Sequence, residues 1–325
     1  MASNFSKIEN KEEWHDLLGK VLFKTFFHSW EWESFLESQF PWMKFEHYNW
    51  KNKALLSLAR TAKKLVSHPF CEYGGPLPLA QEIVGEDFKQ DLFEEFKTPL
   101  KISFHPYLLN YFKDFDLKDS PRETYLLENI SKLNVETVGD RNRHRQKNRA
   151  LENGLTVVKC KTENDLKIIY NFYVKSLKKH KALVYPFSFF KFFFKNPQVE
   201  ILLVKKGDRT VGGNIFLVCG KNVHSFLCGF DEKYRNLGAH TLALWSELRG
   251  KQREGFEVFD FGATRKGSSI GDFKNRWGAK SYPIFELKNY SDDSHLRDSK
   301  LRVLFGFLPA FLIKKISPHL LKWKL

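Results

Sequence analysis

Two methionines and four cysteines are all the sulfur in 325 residues, and no two cysteines stand in a Cys-x-x-Cys pair. That absence removes the common zinc-ribbon and dithiol redox motifs. Cys71, Cys160, Cys219 and Cys228 sit in apolar surroundings, which points to buried reduced thiols rather than disulfides or a zinc site, and no metal ligand set is expected. Long apolar runs are missing as well, since none reaches the roughly 20 residues needed to span a bilayer. The stretch MASNFSKIENKEEWHD is polar and acidic and lacks the apolar core of a secretory signal. The expectation is a cytoplasmic protein, with peripheral contact to the inner face of the plasma membrane as a variant. There is no Gly-x-Ser-x-Gly elbow, and no histidine stands beside a serine or cysteine in a pattern that reads as a triad. Acid is absent from residues 300–325.

What is present is positive charge and phenylalanine. The formal net charge is +15, and 32 residues are Phe. A basic excess attracts nucleic acid, anionic membrane or phosphorylated substrates without choosing among them. The length suggests two domains. Residues 12–40 read as two helices, the second capped by Ser29. Phe45 to Trp50 and Ala54 to Leu58 read as a hairpin, with Lys63 to Val66 continuing the sheet. Residues 67–78, SHPFCEYGGPLP, form a loop in which adjacent glycines permit close backbone approach. A helix over 81–97, a strand at Lys101 to Phe104, a short helix over 107–113 and a strand at Glu123 to Leu127 complete a first α/β domain, residues 1–138.

Residues 139–154 form a basic helical connector. Arg141, Arg145 and Arg149 share one helix face with no acid to neutralise them. This is either a solvated face or a phosphate contact. The second domain, 155–290, opens with a strand at Leu155 to Cys160 and helices over 163–181 and 187–194. Strands follow at Glu200–Lys205, Val211–Val218 and Asn222–Phe230, and Gly212 and Gly213 inside the middle one suggest a bulge. The stretch from Tyr234 to Lys280 holds a tight turn, a long helix ended by Gly255, and an apolar strand interrupted by Asp260. A Gly/Ser-rich loop then leads to a last helical turn, with Asp272 as its cap. Gly238 lies just ahead of the long helix, where unpaired backbone N–H groups attract phosphate.

Arg235–Gly238, Leu242, Trp245, Phe259-Asp260-Phe261-Gly262, Phe273-Lys274 and Trp277-Gly278-Ala279 resemble the FemAB-like branch of the GNAT acyltransferase superfamily. So do Ser29-Trp30-Glu31-Trp32, Ser67-His68-Pro69-Phe70, Tyr73-Gly74-Gly75-Pro76 and the basic helix ending at Ala150. The matches keep the family's order over nearly the whole chain. The resemblance implies an α/β fold of two tandem GNAT-like domains, each a mixed, mostly antiparallel sheet flanked by helices, with a C-terminal amphipathic tail at 291–325. It also implies acyl or aminoacyl transfer to an amine of a cell-envelope precursor, a peptidoglycan stem peptide or a polysaccharide amino sugar. No cofactor would be bound permanently, and the donor would be aminoacyl-tRNA or acyl-CoA. A CoA-dependent N-acetyltransferase and a non-catalytic membrane- or nucleic-acid-binding protein are the alternatives.

Such transfer requires a neutral amine, a stabilised carbonyl oxygen and substrates held together. Lys274, from the family's Phe-Lys motif, is the first candidate to neutralise a phosphate or the developing oxyanion. Asp260 is a charge in an apolar strand, paired structurally or orienting an amine. Arg235, Gly238, Arg265, Ser268, Arg276 and Arg145 are candidate substrate contacts in this half, and Glu72, Tyr73 and Gly74 in the first. The turn Arg235-Asn236-Leu237-Gly238-Ala239-His240 ends in His where acetyl-CoA users carry a small residue, which leaves their pyrophosphate cradle incomplete. The tail either folds onto the first domain or lies in the membrane interface, with Lys314, Lys315, Lys322 and Lys324 near headgroups.

Overall fold

Short apolar strands punctuated by Gly, Asn and Lys turns, and helices with one buried stripe, can only bury their faces by layering helices on sheets. A computed structural model shows this arrangement and describes residues 3–79, 84–112, 115–290 and 308–321. In chain order the first elements are β1 (Phe5–Ile8), α1 (Lys11–Leu18), α2 (Trp30–Gln39), β2 (Lys44–Trp50) and β3 (Ala54–Arg60). Then come β4 (Leu65–Val66), β5 (Leu77–Pro78), α3 (Glu86–Glu95), β6 (Leu100–Phe104) and β7 (Lys118–Glu128). They are followed by α4 (Arg141–Glu152), β8 (Leu155–Lys159), α5 (Glu163–Lys179), α6 (Phe187–Lys195), β9 (Val199–Lys206) and β10 (Arg209–Cys219). The series ends with β11 (Asn222–Phe230), α7 (Glu232–Arg235), α8 (Ala239–Arg253), β12 (Val258–Arg265), α9 (Ser269–Asn275), β13 (Lys280–Lys288) and α10 (Ala310–Leu320).

Two compact units result. One holds the chain up to Thr124 with Ala263–Lys266 and the stretch from Tyr282; the other holds Tyr125–Gly262, Gly267–Ser281 and α10. In the first unit β1, β2 and β3 pair antiparallel, β3 pairs antiparallel with β4 and β5, and β4 runs parallel to β6. β13 returns to pair antiparallel with β6, Phe285 opposite Phe104. Trp14, Trp50, Leu55, Phe88 and Phe104 fill the core of this unit. In the second unit β8, β9, β10 and β11 form an antiparallel series, and β12 adds parallel to β11 after the α8 crossover. Phe216, Leu244, Leu248, Phe259 and Trp277 form one core cluster there, and Val204, Val211, Leu242 and Ala243 another. Each unit is thus an α/β layer with a mixed, mostly antiparallel sheet. The bulge expected from Gly212 and Gly213 falls between Thr210 and Gly212.

Several expectations are corrected. β1 occupies part of the polar N-terminal stretch, because only Phe5 and Ile8 need face inward to make an edge strand. The helix expected over 107–113 is a 3-10 turn, Pro106–Tyr111. β13 carries too mixed a pattern to have been recognised. The last helix begins at Ser269, with Ser268 rather than Asp272 as its cap. The basic connector is not a free linker: α4 packs on α8 and buries Arg143, Lys147 and Ala150, while Arg141, Arg145 and Arg149 stay outside. The described part of the tail belongs to the second unit rather than the first. There α10 lies along α5, with Ile313 buried and Lys314 donating to Asn171 Oδ1 at 2.7 Å. The apolar stretch 303–307 and Lys322 and Lys324 lie outside the described residues. The four cysteines form no disulfide and are half-buried rather than fully buried. Among the described residues no helix is long and apolar enough to cross a membrane.

Candidate functional site

The apolar run of β12 carries Asp260 into the core of the second unit, where a carboxylate must find donors. Its Oδ1 accepts from Gly262 N at 2.7 Å. Gly262 adopts a φ of 75°, open to glycine at little cost, within β12, which continues to Arg265. The chain then turns into α9, whose first N–H groups are met by Ser268, its side chain accepting from Gly271 N at 3.2 Å. One turn on, Lys274 points inward. It is buried, 8% exposed, and its Nζ donates to Gly262 O at 2.6 Å. Asp260 and Lys274 therefore meet on one peptide residue, one at its N–H and the other at its carbonyl. The Tyr125 ring centroid lies 5.6 Å from Lys274 Nζ. Its phenol rests against Gly271, where an added Cβ would fall 2.2 Å from the hydroxyl oxygen. The sequence signalled Asp260, Gly262, Ser268 and Lys274. It carried no sign of Tyr125, which comes from a distant strand.

A second group gathers around Phe273. The Arg143 guanidinium lies 4.5 Å from the Phe273 ring centroid, and the His240 ring stacks on Phe273 at 5.3 Å and 6°. Burial first, then the charges of Arg235, Arg143 and Lys274, push His240 down to about 3, so its imidazole is neutral at physiological pH. Arg235 itself is exposed at the end of α7, and Arg276 is exposed with its carbonyl accepting from Asp140 N at 2.8 Å. Arg145 is exposed and bonds Asn142 Oδ1 at 3.0 Å, away from this group. Sequence reasoning chose the outward arginine of α4; the inward one is Arg143.

Gly238 has another use than the one its position suggests. Its φ is 91°, and a Cβ there would sit 2.2 Å from the Gln146 carbonyl oxygen. The close approach is taken by the backbone of α4, and Thr241 Oγ1 donates to Gln146 Oε1 at 2.8 Å beside it. The start of α8 is thus a helix–helix contact.

In the first unit Tyr73 is buried, its ring 4.4 Å from that of His105. Glu72 is half-buried beside it. Gly74 is pressed by His68: a Cβ at Gly74 would fall 2.2 Å from the imidazole ring. The room the glycines leave is therefore filled by the protein's own chain rather than held for a ligand. Arg265 is exposed and falls in this unit's short segment Ala263–Lys266. Next to it, Lys266 Nζ bonds Asp119 Oδ2 at 2.5 Å. A feature without a sequence signal lies between β1, α2 and β2: an open cavity of about 370 Å³, lined among others by Trp30, Glu33, Glu37 and His47. Glu33 is bonded there by His47 Nε2 and by Ser57 Oγ, the latter at 2.7 Å, and burial raises its pKa.

Residues 139–275 match the family model described as an acetyltransferase (GNAT) domain. No curated protein matches the sequence. Among solved structures the chain is similar to FemX, with 12% identity, a TM-score of 0.61, and 86% of this chain and 96% of that one covered. It is similar to L-PGS from Bacillus licheniformis, at 13% identity and a TM-score of 0.57, over 95% and 97% of the two chains. It is also similar to a tandem GNAT protein from the clavulanic acid biosynthesis pathway, at 8% identity and a TM-score of 0.50, over 89% and 100%. At these identities the likeness is one of fold, and that fold is the tandem GNAT arrangement.

Proposed function

We propose, starting from a chain that carries a GNAT acetyltransferase domain on a fold of the FemAB-like branch and is an acyltransferase, that it forms an amide on an amine of a cell-envelope precursor. The amine attacks the carbonyl carbon of an activated acyl or aminoacyl group. A C–N bond forms, the C–O or C–S bond to the carrier breaks, and the proton lost by nitrogen leaves with the carrier's oxygen or sulfur. No covalent enzyme intermediate is needed. Lys274 is the catalytic residue in this reading: a buried ammonium carried by α9 and held on Gly262 of β12 stabilises the oxyanion far better than one in water. Asp260 is a positioning residue that holds the Gly262 peptide on which Lys274 is braced. Ser268 fixes the start of α9, and Tyr125 backs the lysine. Arg235, Arg276, Arg265, Arg145, Glu72 and Tyr73 stay as candidate contacts to the two substrates, with Gly74 closed off by His68 and Gly238 serving the α4–α8 contact.

The single observation that carries the proposal is the burial of Lys274 Nζ at 2.6 Å from Gly262 O. For the donor, the α4 backbone packed against Gly238 favours aminoacyl-tRNA over acyl-CoA, because the helix start that cradles pyrophosphate in acetyl-CoA users is here in contact with protein. A cytoplasmic or peripheral location and the envelope acceptor belong to this same proposal; FemX and L-PGS, whose folds this chain shares, are its motivation. The test is transfer of radiolabel from charged tRNA or from acyl-CoA to extracted envelope precursors by the purified protein. RNase-sensitive transfer from charged tRNA supports the first donor, and transfer from acyl-CoA supports the second. Absence of amide product from both donors, with the protein folded, contradicts the reading.

A further inference from the structure

Helix α4 brings two cations inward, and they are treated differently. Lys147 Nζ is bonded to Glu136 Oε2 at 3.1 Å and lies 4.4 Å from the Trp245 ring centroid. The other buried cation of this unit's long helices, Lys251, is bonded by Glu200 and Glu254. Arg143 has no such arrangement. It is 5% exposed, and its Nε and Nη1 are buried without a hydrogen-bond partner. The nearest carboxylate, Asp140, approaches Nε only to 3.8 Å, and its Oδ1 already accepts from Arg143 N at 2.8 Å as the cap of α4. Among the described residues Asp140 is the one opposite charge that acts on it, and cations oppose it from the other elements. Arg276 lies close enough to oppose its charge, and Arg235 and Lys274 act with Arg143 on His240.

A guanidinium cannot discard its proton, so it cannot escape burial by becoming neutral. A protein that held it only as structure would bring a carboxylate within hydrogen-bond reach, as it does for Lys147, whereas Asp140 stays 3.8 Å from Nε. The unpartnered Nε and Nη1 are charged N–H donors suited to the oxygens of an anion such as phosphate, and the Phe273 face keeps the guanidinium plane in place. Phe273 directly precedes Lys274 on α9, and the charges of Arg143 and Lys274 both act on His240, which stacks on Phe273.

We infer that Arg143, braced on Phe273 and flanked by His240, is the phosphate-binding residue of the site, and that the phosphate it takes belongs to the carrier on which the acyl group is delivered. Phosphate binding at Arg143 stands by itself, whereas the identity of the carrier rests on the proposed acyl transfer. Inorganic pyrophosphate is the probe, with binding read by thermal shift and calorimetry on the full chain, so that no turnover is needed. Arg143→Met keeps the length and the contact with Phe273 but removes the buried charge. We expect it to melt no lower than the wild type, and to bind pyrophosphate weaker by about tenfold or more. Arg143→Lys, which keeps the charge and loses the planar guanidinium with its several fixed donors, weakens binding in the same direction and serves if the Met variant does not fold. No pyrophosphate binding by the wild type at millimolar concentration, or equal binding by wild type and both variants, overturns the assignment. Displacement of pyrophosphate by a short single-stranded RNA but not by CoA assigns the carrier to RNA, and the reverse assigns it to CoA. Displacement by neither overturns the carrier assignment while leaving amide formation to be judged by its own assay.

Discussion

Lys274→Met removes the one side chain on which the proposed chemistry depends, and its two effects can be sized separately. A preorganised donor to a developing oxyanion contributes about 10²–10³ in kcat, roughly 3–4 kcal/mol of barrier. The stability effect is a balance. The Nζ–Gly262 carbonyl bond of 2.6 Å is a charged hydrogen bond, of a kind that contributes about 1.5–3 kcal/mol. Against that, Met no longer asks the core to hold a charge, which returns part of the desolvation cost. A net loss of about 1–2 kcal/mol follows, which lowers Tm by roughly 2–8 °C. The Phe-Lys motif alone suggests a lysine that can be removed at little cost; its burial makes the cost measurable. Single-turnover amide formation and thermal melting, on one preparation, separate the two. Turnover within about twofold of wild type removes Lys274 from the chemistry. A large loss of Tm with turnover per folded molecule unchanged gives it a purely structural role.

Other perturbations follow from the same geometry. Gly238→Ala places a Cβ 2.2 Å from the Gln146 carbonyl at a φ of 91°, which costs about 3 kcal/mol or more in strain and displaced backbone; urea denaturation that finds the variant as stable as wild type contradicts the close α4–α8 approach. Gly271→Ala drives a methyl toward the Tyr125 hydroxyl, 2.2 Å away, and is expected to lower kcat more than it lowers Tm, with the wild-type kcat as the contrary result. Glu247, buried on α8, has its pKa raised to about 8 from 4.5, first by burial and then by Glu200. Between those values the folded state keeps a proton that the unfolded chain releases, so this group's contribution to stability falls as pH rises through the window. Glu247→Gln is therefore expected to gain stability relative to wild type toward pH 8, by a few kcal/mol at most; parallel stability–pH curves for the two proteins would rule this out.

The sequence made legible what depends on local chemistry. The punctuation by Gly255, the cap-and-loop run 262–269 and the apolar strand around Asp260 located β12 and the α9 turn, and with them Lys274. Legibility stopped where partners are distant in the chain. Nothing near Lys274 announces Tyr125, and nothing in residues 139–150 says which arginine turns inward, because that is decided by the contact of α4 with Gly238. Counting charges on one helical face favoured Arg141, Arg145 and Arg149, which are the exposed ones; the informative residue is the one whose burial needs an explanation. The glycines at 74 and 75 likewise read as room for a ligand, while His68 and the Phe104 backbone occupy it. β13 was missed because its alternation is weak and its pairing partner, β6, lies far earlier in the chain.

The most direct test of the proposed chemistry is mass spectrometry of amine-bearing envelope precursors from cells carrying wild-type protein or Lys274→Met at equal abundance. A precursor heavier by one acyl or aminoacyl group is expected in the wild type, and its unmodified form in the variant. Identical precursor masses in the two strains, with both proteins folded, would contradict amide formation through Lys274.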